Sequence, residues 1–443
     1  MVVKKLGIYA MVCGNEHSPE FGDARDKGVF MKRMLSLMTA VIATGLMANP
    51  TDGTFVSGSG SINDMDPSNI TVSVNGMSTT RAVIEWDTFS IGSDETTTFT
   101  LPTTDSAILN RVTGSLMTDI EGTLSSNGIV YLINENGIVL GDNAVLDVPS
   151  LLASTLYFSD SDFLGGGNIS MVDNTQESIV HSSVTHLDGD IYLLGYQVTH
   201  EGFLTSDNGV VSLAAAGGMV VHPSSDQRIE ISIQSGNNSV DKGVDLVVNS
   251  EIHAPRVEVK ADGTVYAIGV YQEGIILSHG TGSVSSRVIL YGQEGATESN
   301  GPITVLNSNG TGGEIQVIGD TVLIDDSSFL NASGSSSPSQ GGGGNIYIGG
   351  GYEGSNSSIP NATTTTVSAD AFIQANSGTI NNAGLIVVWS DDTTTFHGQA
   401  TAEGGSVSGD GGTIEIYGQN SFSFDGITDV SSPHGTDGQV IFN

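Results

Sequence analysis

The sequence predicts an all-β protein, a right-handed parallel β-helix (a solenoid) with loop excursions, and three observations carry that expectation. The first is a recurring unit of a glycine, a short alternating run rich in β-branched residues, a polar turn and a second short run. It appears as GIVYLI at 128, GDIYLLG at 189, GVVSLAA at 209, GTVYAIG at 263, GEIQVIG at 313, GNIYIGG at 344, GLIVVWS at 384, GTIEIYG at 412 and GQVIF at 438. The second is its spacing: several intervals fall between 20 and 31 residues, and the 40 residues from 344 to 384 accommodate two turns. Such a period marks stacked repeats. The third is local: runs of Val, Ile and Tyr bounded by Gly, Asn, Asp and Ser are strand signals, while capped helical spacing is nearly absent.

Each repeat supplies short strands without a two-residue hairpin turn, so stacking turns in parallel is the economical way to pair every backbone group. At about 22 residues per turn the chain beyond residue 48 makes roughly 17 turns, a rod ~80 Å long at ~4.8 Å per strand. Inward positions such as Ile346, Ile348, Ile414 and Ile416 are expected to form aliphatic stacks. A β-sandwich or barrel array is the competing fold.

From the N-terminus, residues 1–30 are polar and mixed, which reads as an early start codon or an extended leader with no folded role. Residues 31–48, MKRMLSLMTAVIATGLMA, carry a basic start at Lys32 and Arg33, an apolar stretch and small residues at the end. This pattern reads as a secretory signal peptide cleaved after Ala48. Its apolar stretch, ~15 residues, is below the ~18–20 that span a bilayer. The sole cysteine, Cys13, precedes that cleavage point, so the exported part is expected to hold no disulfide. Downstream, SGSSSPSQGGGG (333–344) and EGSNSSIPNATTTT (353–366) read as loops bulging from one side of the rod, where binding surfaces usually sit.

Composition restricts partners. Thirteen Lys and Arg stand against 49 Asp and Glu, a formal charge of -36. Six of the basic residues lie in the first 33, and only Arg81, Arg111, Arg228, Lys242, Arg256, Lys260 and Arg287 follow. A surface this negative repels a polyanion, which excludes nucleic acid. With 38% hydrophobic residues the chain has the apolar content to bury a core.

Five blocks between Asn49 and Gly166 occur in a specific order: TDGTFVSGSGSI (51–62), WDTFSIGSDETTTF (86–99), ILNRVTGS (108–115), GTLSSNGIVYLINENGIVLGDNAVLDVPSLLAST (122–155) and SDSDFLGG (159–166). In that order they resemble the secretion domain of two-partner secretion exoproteins, the filamentous haemagglutinin family. The stretches 385–405 and 410–442 are similar to repeats that follow that domain in the family. The resemblance implies a secretion domain at 49–166 and a rod continuing through 167–443. It also implies Sec export, a secreted or cell-surface adhesin of a Gram-negative bacterium, and recognition by the periplasmic domains of an outer-membrane β-barrel transporter. The host-cell or bacterial receptor is unknown. Asn110 and Arg111 of the third block, and Asn134, Asn136, Gly137 and Ile138 of the fourth, are the implied recognition residues. The family's turn is Asn-Pro-Asn-Gly; here Glu135 stands in place of the proline. Asn and Gly keep the turn chemistry without it. Two readings of the turn coexist, a stabilised corner between strands and a signal for the transporter. The family usually continues beyond such repeats, whereas this chain stops at Asn443, which leaves a short exoprotein, or a truncated or split gene product, as the expectations.

Other chemistries find less support. A β-helix polysaccharide-degrading enzyme needs a cation beside clustered carboxylates, and cations are scarce; Asp391 with Asp392, or Asp160 with Asp162, read as solvated turn residues rather than a glycosidase pair. His181, His186, His200 and His222 show no metal-ligand spacing. No cofactor is expected; calcium stays open at Asp188, Gly189 and Asp190, without an EF-hand or a nonapeptide repeat. An autotransporter passenger requires a C-terminal barrel of alternating strands, of which the last residues give no sign.

Overall fold

The computed structural model describes residues 49–442 except 78, 224–228, 235–241, 262–267, 283 and 337–340. Residues 1–30 with Cys13, the segment 31–48 expected to be a signal peptide, Arg228 and most of the GTVYAIG repeat lie outside the described residues.

Three long sheets wind around one core. The first face is a 14-stranded sheet, the second an 11-stranded sheet, and the third is built from a five-stranded sheet followed by a nine-stranded one. The chain visits them in rotation: Ile129–Ile133 on the first face, Ile138–Leu140 on the second, Val145–Asp147 on the third, then Leu151–Ser154 back on the first. Each return pairs in parallel with the preceding turn, as Leu151 to Val130 and Ala153 to Leu132. This is a parallel β-helix. Parallel register places identical positions of successive turns above one another, and the aliphatic stacks follow: Ile315, Ile346, Ile386 and Ile414 form one column, Val317, Ile348, Val388 and Ile416 the next. All eight are fully buried, at about 1.5–3 kcal/mol for each large aliphatic side chain.

The turns are fewer and longer than the sequence suggested. Thirteen parallel strands of the first face run from Arg81–Trp86 to Gln439–Phe442, so twelve steps cover residues 81 to 439 at about 30 residues each. The rod is therefore about 60 Å long. The 40-residue interval is one turn, because Asn345–Ile348 pairs directly with Leu385–Ser390. Two causes add length: from Ala107–Val112 onward each complete turn carries a strand on all three faces, and excursions at 155–177, at 216–223 with 229–234, and at 349–363 leave the corner between the first and second faces. Three of the four threonines expected in the 353–366 loop, Thr364 to Thr366, are strand instead, since Thr364–Val367 pairs with Thr321–Ile324 and Thr393–Phe396.

The first turn is capped. Strand Thr54–Ser57 lies antiparallel on Arg81–Trp86, and a hairpin of Ser59–Asp66 with Asn69–Gly76 closes the third face. The outermost strands are then the four-residue Thr54–Ser57 and the exposed, polar Ser59–Asp66, a short and a hydrophilic edge in place of the apolar edge of the stack.

A second layer covers the outer side of the first face. Helix α1 (Asp160–Gly165) begins at Ser159, whose Oγ accepts from the Asp162 N–H at 3.1 Å, and ends at Gly166 with φ 67°. Beside it Ile169–Val172, Gly218–Pro223 and Ile229–Ile233 form a three-stranded antiparallel sheet. Leu156, Phe158, Phe163, Met171, Met219 and Ile231 from this layer bury Leu109, Tyr131, Leu152, Tyr192 and Leu194 of the rod. Strands Ala107–Val112, Leu151–Ser154, Ile191–Gly195 and Val210–Ala215 are consequently buried on both sides. Stacking continues across residue 166, since Leu151–Ser154 pairs with Ile191–Leu194.

Candidate functional site

Of the six residues implied by the resemblance, Asn110 and Arg111 lie on the first face, Asn134, Asn136 and Gly137 at the corner between the first and second faces, and Ile138 on the second, and the fold explains where each points. Ala107–Val112 alternates between the two cores: Ile108 faces the rod interior, Leu109 the outer layer. Asn110 therefore faces inward, between Ile84 and Leu132 in register, and is fully buried. Its Oδ1 accepts from the Trp86 indole N–H at 3.0 Å and its Nδ2 donates to the Tyr131 carbonyl at 3.3 Å. These bonds answer both halves of the amide that burial would otherwise strand. Arg111 faces the outer layer. Its Nη2 donates to Asp160 Oδ1 and to the Phe158 carbonyl, each at 2.8 Å, and the guanidinium lies 5.2 Å from the Tyr157 and Phe158 ring centres. Arg81 does the same one turn earlier, donating to the Phe163 carbonyl at 2.7 Å. Two of the scarce cations thus fasten α1 to the rod. Burial pushes the Tyr131 phenol up, against the Phe163 ring 4.9 Å away.

The turn Asn134–Gly137 closes the corner between the first and second faces. Asn134 is fully buried. Its Nδ2 donates to the Leu116 carbonyl at 2.9 Å and to Thr118 Oγ1 at 3.0 Å, while its Oδ1 accepts from both the backbone N–H and Nδ2 of Asn136 at 2.9 Å. Asn136 Nδ2 also donates to the Gly114 carbonyl at 2.9 Å. Gly137, at φ 106°, turns the chain so that its carbonyl accepts from the Thr118 N–H at 3.0 Å. Ile138 then enters the core between Thr118 and Ile179 of the neighbouring turns. Glu135 ties the corner to the first excursion: its carbonyl accepts from Thr175 Oγ1, as a proline carbonyl could, and its carboxylate accepts from Asn174 Nδ2 at 2.7 Å, which proline could not. The side chains of Leu116 and Met117 on the facing loop are 61% and 46% exposed.

A buried histidine pair lies further along the second face, and its sequence spacing gave no signal. His181 and His200 are stacked in register and fully buried. Nε2 of His200 faces the Glu251 carbonyl at 3.1 Å, so it carries the proton; its Nδ1 then accepts from Nδ1 of His181 at 3.1 Å. Nε2 of His181 is left to accept from Thr185 or Ser183, at 3.1 and 3.2 Å. One tautomer of each ring satisfies the chain. Burial holds both well below the usual imidazole range, His200 at about 4, and the neighbouring His200 depresses His181 further. Asp188 and Asp190 bind turn groups, accepting from Asn208 Nδ2 at 2.7 Å and the Val210 N–H at 2.8 Å.

The fold and this corner define a class: a glycine- and asparagine-cornered parallel β-helix, capped at its start and carrying an outer layer on its first turns. The family model of the TPS secretion domain matches residues 47–287, and the chain belongs to the TPS secretion domain family. A Heme/hemopexin-binding protein of Haemophilus influenzae strain Rd is 25% identical over 183 residues, 38% of this chain and 20% of that protein. A second Heme/hemopexin-binding protein of Haemophilus influenzae is 39% identical over 75 residues, 17% of this chain and 8% of its own length. The matches thus span a fifth or less of those relatives. The crystal structure of the HMW1 secretion domain from Haemophilus influenzae superposes with a TM-score of 0.68 at 23% identity, covering 88% of this chain and all of that one. That likeness concerns the fold. Family membership makes the chain a two-partner secretion exoprotein, secreted to the surface of Gram-negative bacteria.

Proposed function

We propose that residues 49–166 are the segment by which an outer-membrane β-barrel transporter recognises this exoprotein through its periplasmic domains, and that the rod beyond, 167–443, presents loops for attachment to host cells or other bacteria. A secretion domain of this family implies an outer-membrane transporter as partner. The observation that carries the reading is the Asn134 side chain: in the folded corner every donor and acceptor of its amide is engaged and none of it is exposed. A partner can read Asn134 only while the chain is extended. Gly137 and Ile138 share this constraint, whereas Asn136 is half-buried, and Asn110 and Arg111 act within the same early turns. Export then ends in folding: each added turn stacks on a folded one, and that free energy opposes backsliding without a nucleotide. The signal peptide at 31–48 delivers the chain to the periplasm in this scheme.

The test separates recognition from stability. Deletion of 49–166, or Asn134→Ala with Asn136→Ala, is scored for release into the medium, and the purified variant is refolded in vitro. Loss of release by a variant that still refolds supports recognition; undiminished release contradicts it. The enzyme alternative finds its cations engaged elsewhere: Lys260 pairs with Glu258 at 2.8 Å, Arg287 with Glu314 at 2.8 Å, and Arg81 and Arg111 hold α1.

A further inference from the structure

The nine-stranded sheet of the third face buries alternate residues, Ile252, Ile276, Ile303, Leu330 and Ile373 among them, in the core of the rod. The residue before each of these points outward, and parallel register stacks those outward residues in one column. Val184 and Phe203 open the column, 72% and 40% exposed. Ile275, Pro302, Phe329 and Phe372 form its half-exposed middle, with the two phenyl rings 5.7 Å apart, and Leu277 and Leu306 widen it. Ile427, 62% exposed, ends it; only Glu251 and Gln399 interrupt. The matching outward column of the second face ends in Thr321, Thr364, Thr393 and Ser421, so an apolar exterior is not a general property of this rod.

Charge is withdrawn from the same area. The five strands from Ile275–His279 to Gln399–Thr401 contain no Asp, Glu, Lys or Arg, in a chain with 49 acidic residues. The two edges of this strip differ. The corner toward the second face has only two or four residues per turn, too few to rise over the strip, and carries Glu201, Glu273, Asp325, Asp326, Asp370 and Asp425. The corner toward the first face runs through 280–286, 307–313, 332–344 and 375–384, which are rich in Ser, Thr, Asn and Gly and hold no charged residue.

An apolar strip depleted of charge and carrying aromatic rings has the composition of an interface core, and monomeric proteins rarely leave a long one open. We propose that a second copy of this chain covers it, the two rods lying side by side and parallel about a two-fold axis along the column. Each residue of the column then meets its own counterpart. The acidic edge of one rod faces the neutral edge of the other, whose hydroxyls and amides donate to carboxylates. An antiparallel pair would instead set acidic edge against acidic edge. Glu251 is the one like-charge meeting on the axis, and the His253 ring 3.0 Å from its carboxylate softens it. A strip about 40 Å by 15 Å covers roughly 600 Å² per partner, below the ~800 Å² of a standard interface. The contact is therefore weak in solution and gains from rods displayed in one orientation on one cell, where local concentration is high. It depends on neither transporter recognition nor attachment, so its failure leaves both standing.

The experiment is sedimentation velocity on the full chain from about 1 to about 500 µM, at low and at high salt. A reversible monomer–dimer equilibrium is expected, and it strengthens with salt, because salt screens the repulsion between two acidic rods. Phe329→Glu and Phe372→Glu, each checked for an unchanged circular dichroism melt, are expected to weaken the dimer at least roughly tenfold. Glu251→Gln should tighten it, whereas Thr395→Glu on the second face leaves it unchanged. Orientation is read with a short bismaleimide in a Cys13→Ser background: Val184→Cys should crosslink to itself, and a mixture of Val184→Cys with Ile427→Cys should give no mixed dimer. A chain monomeric throughout, a dimer indifferent to both Phe variants, or crosslinking of Val184→Cys only to Ile427→Cys overturns the proposal.

Discussion

Asn134, at a corner, and Asn110, within a strand, show why residue type at a buried polar position of a β-helix is so restricted. Each is an amide in a fully buried position with its oxygen and nitrogen both satisfied. Asn134→Ala removes four bonds and leaves Thr118, the Leu116 carbonyl and Asn136 without their partner; we expect a loss of about 2–3 kcal/mol, read as a lower urea midpoint with an unchanged slope. The histidine pair makes a second prediction. Its folded pKa values lie below the ordinary imidazole value, so the unfolded chain binds more protons as pH falls. Stability is then fully present above about pH 6.5 and declines toward pH 4, by roughly 3 kcal/mol from His200 alone. Replacing both by Leu should flatten the dependence of the urea midpoint on pH across that window. Neither network was legible in the sequence. Asn134 stood out only through its motif, and the two histidines, 19 residues apart, met because one turn of the rod spans that interval.

At the scale of elements, the first face was readable and the other two were not. Ten of its fourteen strands run five or six residues and the glycine-led ones stand out in the sequence, whereas many strands of the second and third faces have only three or four, too few to show a period. That missing face is why turns were counted too short. The outer layer did leave a signal: AILNRV, IYLLG and VVSLAA are apolar on consecutive rather than alternate positions, which is what burial on both sides demands. Arg111 is the anchor of that layer. Arg111→Met keeps much of the apolar stem but strands Asp160, and should cost about 3 kcal/mol. Limited proteolysis is the check: cleavage within 156–177 should precede cleavage of the rod, and equal protection in variant and wild type would refute the anchoring role. Phe163→Ala, which empties the space beneath Tyr131, should do the same at about 3–5 kcal/mol.

For the whole molecule, three excursions and the Asn134–Gly137 turn share the corner between the first and second faces. The stretch 333–344, expected on the same side as 353–366, instead joins the third face to the first, since it follows Phe329–Asn331 and precedes Asn345–Ile348. A stacked rod contacts only its neighbours along the axis, so stability is close to a sum over turns. Truncation from the C-terminal side by one turn, removing residues 413–443, should lower the denaturant slope modestly and leave the N-terminal turns folded, as residue-resolved hydrogen exchange would show. The overall class was visible in the glycine-led repeats because parallel stacking forces like residues into register; the number of turns was not, since excursions change the period without changing the stack.

The account turns on the early corner being what the transporter handles. Photocrosslinkers placed at position 136 and at position 346 of the full chain, stalled during export, test this directly. Position 136 should crosslink to the transporter's periplasmic domains and position 346 should not; equal crosslinking from both, or none from 136, would contradict it.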